Sequence, residues 1–583
     1  MTDALRPVEQ SLIEHVERGE LLDLAGDSPV DVESMRSWDE SRTIRAWVIR
    51  DILRGRLAPD PDPLGLRLRG ARIEGRLSLG NVISTVWLEL YSCLLDEGMS
   101  ARDARLAGIA LSGCRLEHPT GHVLSACRLT ASMLWIDQGT TVEGHTAVAV
   151  DLSGARLDEL HCEGARFSSD AGTALDLHSA KIEENVRLHN GFEAVGVGAG
   201  GAIRLVGTEI GGTLDLDGAR LHNDSGPAMN AEGLQTGRNV LLRHGFSATG
   251  AGEDGAVDLS AARITGMLNC NGATLRNDSG PALLANEARV DLYVFWNDGF
   301  DAHGVGPDGC VSVPGSHFGG WECQNAIMRN PTGPALSAVG LRVDNHVGME
   351  DFRAFGGGED AVIILNIVEI RGAFSFQPSQ LEHLTDPRSR ISVDELVYRG
   401  IPFGIHASEW LTYLREGTPY YAAQPYQHLA AAHRAAGHDR EARRILMEQR
   451  RDQIDRGLTG RGERVWARFT GLVLGYGYQP WRALVGLLAV LITGAVLAVA
   501  LGGTGLVQTR AGAAPTPCPM IDRIAVGLEL GAPLLSTPAR IRCEATNTGA
   551  GQALTITGWV LRLMAWAFAT LFIAGFTGAV RKT

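Results

Sequence analysis

The chain has 583 residues, with 53 basic against 67 acidic side chains and a formal net charge of −14. That balance excludes a generally basic surface, so no nucleic-acid partner is expected, and 45% apolar residues exclude wholesale disorder. Glycine, 72 of 583 or about 12% against a usual ~7%, asks for many tight turns, the habit of repeated β architectures.

In chain order, residues 1–60 read as a helical cap. Pro7 to Glu20 suits one helix, and Val32 to Arg54 suits a second with an apolar stripe that includes Trp38, Ile44, Trp47, Ile49 and Leu53. The start of the chain has no basic segment followed by an apolar one, so a cleaved secretory signal is not expected. Pro59-Asp60-Pro61-Asp62-Pro63 then breaks the chain.

Residues 64–400 form a repeat. Blocks at Ala202–Gly255 and Ala256–Gly309 align at a spacing of 54, a looser copy starts at Val311, and another begins at Val150. LRLRGARIEGRLSL at 66–79 matches IRLVGTEIGGTLDL at 203–216. The runs Ala202–Leu205, Thr213–Leu216, Ala228–Ala231 and Asn239–Leu242 alternate at period two and are too short for helices. Each block therefore makes two coils of a parallel β-solenoid, and at ~4.8 Å per coil about twelve coils give a rod about 60 Å long.

Residues 404–458 turn helical, with two runs divided at Gly437-His438 that suit a helical-hairpin neck. Residues 466–482 read as an interfacial segment, with Trp466, Tyr476, Tyr478, Trp481 and Arg482 as anchors at the bilayer surface. Residues 483–502 carry no charge over twenty positions, the length of a membrane-crossing helix. A second span is expected over 559–580, bounded by Trp559 on one side and by Arg581 and Lys582 on the other. Six Lys or Arg flank the spans on the terminal side and four Arg lie in the intervening loop 503–557, which orients both termini to the cytoplasm. Cys518 and Cys543 are the two cysteines of that loop and could form a disulfide outside the cell. The bilayer is thus one expected partner.

Several chemical signals fall on the repeat itself. Gly196-x-Gly198-x-x-Gly201 fits the dinucleotide fingerprint, but so do the segments at Gly250 and Gly304. A nucleotide loop needs a following helix, whereas these recur at a repeated corner, so they read as turns. Cys162, Cys270 and Cys323 share one repeat position with Leu216, which makes it a core site. His161 and Cys162 lack further ligands at useful spacing, so no metal site is expected. Asp151, Asp215, Asp217 and Asp258 could pair as acid and base, but solvated faces are the simpler expectation. No catalytic residue set and no cofactor-binding set emerges.

WDESRTIRAWVIRDILRGRL, the repeated LxGAxIxGxLxL pattern, QPYQHLAAAHRAAGHDREARRILMEQRRD and GYGYQPWRAL together resemble a family of actinobacterial membrane proteins. These proteins are often labelled membrane-associated oxidoreductases. The resemblance covers nearly the whole chain, and its label implies a flavin or nicotinamide site. The residues themselves favour a membrane-anchored binding or scaffold protein that engages a protein partner or a second copy. Two spans flanking an amphipathic segment at Ile521–Leu535 also resemble a pore subunit, although no TVGYG-like filter is present.

Overall fold

The structure, a computed structural model, describes residues 4–26, 30–457, 460–477, 479, 481–508, 516–532 and 538–582. The chain divides into two compact units, Met1–Ala436 and Gly437–Thr583.

The first unit is a parallel β-solenoid of about 13 turns, built from three sheets of 21, 14 and 13 strands, here called A, B and C. One coil comprises Ile203–Arg204 in sheet C, Glu209–Ile210 and Leu214–Asp215 in two segments of sheet A, and Arg220–Asn223 in sheet B. The pairings between successive coils are parallel and in register, such as Leu214 opposite Val240 and Val240 opposite Leu268, with one register shift between Val290 and Tyr293. These steps of 26 and 28 residues sum to the repeat of 54. The coils shorten toward the N-terminus, with 21 residues from Leu88 to Ile109.

Why the repeat spans two coils is visible at one corner. Phe192, Ala219, Phe246, Ala273 and Phe300 stand on successive coils, all fully buried. Rings on neighbouring coils at ~4.8 Å spacing would overfill the corner, whereas alternation with alanine gives each ring its volume. A second buried row includes Cys162, Leu216, Leu242, Cys270, Trp296 and Cys323. Cys270 and Cys323 are thereby two coils apart with Trp296 between them.

Four expectations need correction. LRLRGARIEGRLSL is out of step with IRLVGTEIGGTLDL by part of a coil: Leu66 lies in sheet A and Ile203 in sheet C. All three sheets use the same small-apolar alternation, so the pattern does not tell them apart. The two-residue strands at Glu209–Ile210 also escape a search for alternation.

The second N-terminal helix is in fact broken. α1 (Pro7–Arg18) is followed by α2 (Val32–Arg36), a 3₁₀ turn at Glu40–Arg42, a strand at Thr43–Arg45, and α3 (Ala46–Leu53). Asp31 and Asp39 accept hydrogen bonds from Ser34 N and Ser41 N at 2.8 and 2.9 Å, which favours separate short turns. Thr43–Arg45 pairs with Arg72–Glu74, and Leu21–Asp23 pairs with Leu66–Arg69. The cap thus covers the open edges of sheets A and B with strands of its own. Buried Glu9 holds Arg45 at 2.6 Å across this cap.

The other end of the solenoid is closed by α4 (Ala407–Glu416) and α5 (Gln424–Ala435). Trp410 is buried against Phe374 and Phe376, with ring centroids at 6.0 and 5.4 Å. α5 therefore belongs to the solenoid unit, and the expected neck hairpin divides at Gly437, whose φ of +80° ends the helical path.

The second unit holds α6 (Asp439–Asp455), α7 (Arg461–Leu474), α8 (Trp481–Gly505), α9 (Met520–Gly531), α10 (Ala539–Arg542) and α11 (Gly549–Lys582). A small antiparallel sheet joins Leu506–Gln508 to Thr516–Pro517 and Cys543–Ala545. Two helical stretches, Trp481–Gly505 and Gly549–Ala574, are long and apolar enough to cross a membrane. The second begins ten residues before the expected 559. Its Gly- and Thr-rich start reads as loop, but Thr555 Oγ1 donates back to Gly551 O at 3.0 Å and the helix continues.

Candidate functional site

Parallel stacking in register turns each outward position into a row that runs along the solenoid. On sheet A the row contains Lys181, Glu209, Gln235, Arg263, Arg289, His317 and Arg342. Its first five members line an open groove of about 890 Å³, together with Thr236, Gly237, Thr265 and Asp291. Gly211 and Gly237, beside the charged row, lie so close to the preceding coil that a Cβ would fall 2.1 Å from the main-chain oxygens of Glu183 and Gly211.

Most charges in the row are internally balanced. Lys181 pairs with Glu209 at 2.7 Å, Arg289 with Asp291 at 2.8 Å, and His317 with Asp344 at 2.8 Å. Arg263 is exposed and, among the described residues, has no ion-pair partner; Gln235 precedes it and Arg289 follows it on adjacent coils. Searching at the 54-residue block spacing hides this row, because it recurs every coil, at 26 to 28 residues.

A second outward cluster lies upstream on the same sheet. Glu159, 8% exposed, holds His161 Nε2 at 3.2 Å and Arg187 at 2.5 Å, and the Trp135 ring lies 5.7 Å from the imidazole. Arg187 also contacts His161 directly. Alternation along the strand sends His161 outward and Cys162 into the core, so the two cannot serve one metal. Among the described residues no group of three or more His, Cys, Asp or Glu is placed to hold a metal ion.

The glycine motifs are turns held by a partner motif. Gly198 has φ +103° and Gly201 φ +98°, and the chain passes straight into the strand Ile203–Arg204. On the next coil, the buried Asn223 amide donates to Gly198 O at 2.9 Å and to Pro227 O at 2.8 Å, while Gly198 N donates to Ser225 Oγ at 2.6 Å. Asn277 repeats this on Gly252 and Pro281, and Asn330 on Gly306 and Pro334. The NDSGPA segment is thus the clamp of the GxGxxG turn one coil earlier. With no helix following and its amide already engaged, this turn does not fit a dinucleotide pyrophosphate.

The acidic candidates serve turns as well. Asp151, Asp215 and Asp258 each accept a hydrogen bond from the amide two residues on, at 3.0, 3.0 and 2.8 Å. Asp217 binds Arg243 at 2.7 Å and His244 at 3.0 Å. Burial pushes its carboxyl pKa up, but the hydrogen bonds from Arg243 and His244 together with the Arg243 charge hold it below the ordinary value. Burial pushes the Asp258 carboxyl up. It also pushes the thiols of Cys270 and Cys323 up to about 12, which leaves them protonated and unreactive.

In the second unit Cys518 and Cys543 are joined in a disulfide with Cα atoms 6.2 Å apart. Trp481, 58% exposed, begins its apolar stretch, whereas Trp559, 70% exposed, stands ten residues inside Gly549–Ala574 and does not mark its end as expected. Arg482 is half-buried. Tyr476 folds back against Gly471 at the end of α7 instead of standing free. Tyr478 lies outside the described residues, as do the side chains of Trp466, Arg581 and Lys582. Compared with known proteins, the chain matches no family model, no curated protein and no solved structure.

Proposed function

We propose that this chain is a membrane-anchored binding or scaffold protein whose solenoid presents the outer face of sheet A to an extended protein partner. The observation that carries this reading is the groove of about 890 Å³ with its in-register row of polar and mostly basic side chains, in which Arg263 and Arg289 are adjacent. Arg263 and Arg289 stand one coil apart within it, so both guanidinium groups can engage carboxylates of one acidic partner.

Cysteine usage supports a cytoplasmic solenoid. Seven cysteines of the first unit are free, whereas the pair between α8 and α11 is bonded, as expected where the two sides of a membrane differ in redox state. The exposed apolar residues of α8 and α11 fit two crossings of the bilayer.

The test reverses charge in the groove. Full-length chain carrying Arg263→Glu and Arg289→Glu should lose a partner that wild-type chain recovers from its own membranes, while Arg276→Glu on sheet B should keep it. Equal recovery by all three would refute the groove as the binding surface.

A further inference from the structure

α9 occupies the segment between the two candidate spans, where a loop in water is the simple expectation. Its packing says otherwise. Three contacts fix it against α8 in antiparallel order. A methyl group on Gly502 would fall 3.1 Å from Arg523 Cδ. One on Gly527 would fall 2.6 Å from both Gly494 O and Ala495 Cα. One on Gly531 would fall 3.5 Å from Val490 O and Leu491 Cα. The glycines are what allow the two backbones to approach this closely.

The depth follows from helix geometry. α8 spans Trp481–Gly505, so its middle is position 493, and Gly494 and Val490 lie about 1.5 and 4.5 Å from it at ~1.5 Å per residue. A helix crossing the ~30 Å hydrocarbon layer has its middle near the layer's centre, so both positions are close to that centre. The face of α9 turned away from α8 is apolar: Ile521, Ile524 and Leu528 are 80%, 37% and 37% exposed. It continues the belt formed by Ile492 and Val496 on α8, exposed at 63% and 59%.

We propose that α9 is a re-entrant helix that enters the bilayer from the disulfide side, reaches about its midplane at Gly531 and returns to the same surface. Its occupant on the outer face is lipid acyl chain. The disulfide ties the entry point, Cys518, to Cys543 on the return path. Buried Glu529 is carried to the same depth, where an ionisable side chain marks a functional position. This placement rests on the reading that α8 crosses the bilayer.

The test is depth measurement by nitroxide labels on full-length chain in phosphatidylcholine–phosphatidylglycerol vesicles. Single variants Leu528→Cys, Ile524→Cys and, on α8, Ile492→Cys are labelled; the seven native thiols are buried and the remaining pair is bonded, so unlabelled parent serves as the blank. The labels at 528 and 492 should report the same depth within about one helical turn, ~5 Å, and that at 524 should lie about 6 Å nearer the surface. All three should collide with oxygen and be shielded from a water-soluble nickel chelate. Chelate access at 524 and 528 with a lipid-exposed 492 would overturn re-entry while leaving the span intact. Chelate access at all three would overturn the span itself. Shielding of 528 from both reagents would replace lipid with a second copy of the chain and overturn the proposed occupant.

Discussion

Asn277 offers the sharpest test of how the solenoid is held together. Its side chain has no exposure and makes three hydrogen bonds to main-chain groups of two coils: it donates to Gly252 O at 2.9 Å and to Pro281 O at 2.8 Å, and accepts from Ser279 N at 3.0 Å. At about 1 kcal/mol net for each, Asn277→Ala should cost about 3 kcal/mol. Asn277→Asp should cost more, because the new oxygen faces two carbonyl oxygens that it cannot satisfy at neutral pH. Asp278→Ala, next in sequence but with a side chain 94% exposed, should change stability by less than about 0.5 kcal/mol. Guanidinium unfolding of the detergent-solubilised full chain measures all three, and hydrogen exchange at residues 252–257 should rise first, because coils are stabilised chiefly by their neighbours. Asn277→Ala within about 0.5 kcal/mol of wild type, or Asn277→Asp no worse than Asn277→Ala, would refute the clamp.

Asp258 carries a pH-dependent prediction. Burial raises its folded pKa above the ordinary 3.8, so the stability linked to its proton is present below that value and is lost as pH rises through the folded pKa. Asp258→Asn keeps the turn acceptor, as Asn230 does on the preceding coil, and should therefore gain about 0.5–1 kcal/mol at pH 7 and nothing at pH 3 in paired unfolding curves. A gain that persists at pH 3 would place its origin elsewhere. Thiol reagent should leave Cys270 and Cys323 unmodified from pH 7 to 9 and react only on unfolding, where an accessible cysteine would speed up several-fold over that range. Reaction in the folded state would contradict their core placement. Millimolar NADH or NADPH should leave the melting temperature unchanged, because the GxGxxG turns are already closed by Asn223, Asn277 and Asn330. A rise of several degrees would restore a nucleotide site.

Much of this was legible before the fold was known, for identifiable reasons. Two-residue alternation punctuated by glycine reports strands and corners directly, so the solenoid and its two-coil block followed from pattern alone. The apolar stretch from Ala483 is long enough to need no tertiary information. What escaped depends on contacts between coils. The clamp of Asn277 on Gly252 links positions 25 apart, and neither looks special by itself. The strand at Thr43–Arg45 sits in an apolar stripe of helical spacing, and only the open edge at Arg72–Glu74 draws it into a sheet. The start of α11 at Gly549 is hidden by glycine and threonine, which a helix tolerates when packed against another helix. The groove at Arg263 is invisible until coils are stacked at their true step.

The claim that the outer face of sheet A is the working surface can be tested by placing a photo-crosslinking residue at Gln235, in the groove, and in a separate chain at Thr249, exposed on sheet B. Irradiation of the native membranes should give a discrete adduct from position 235 that Arg263→Glu weakens, and none from position 249. Adducts of equal yield from both positions, or an adduct at 235 indifferent to Arg263, would contradict the account.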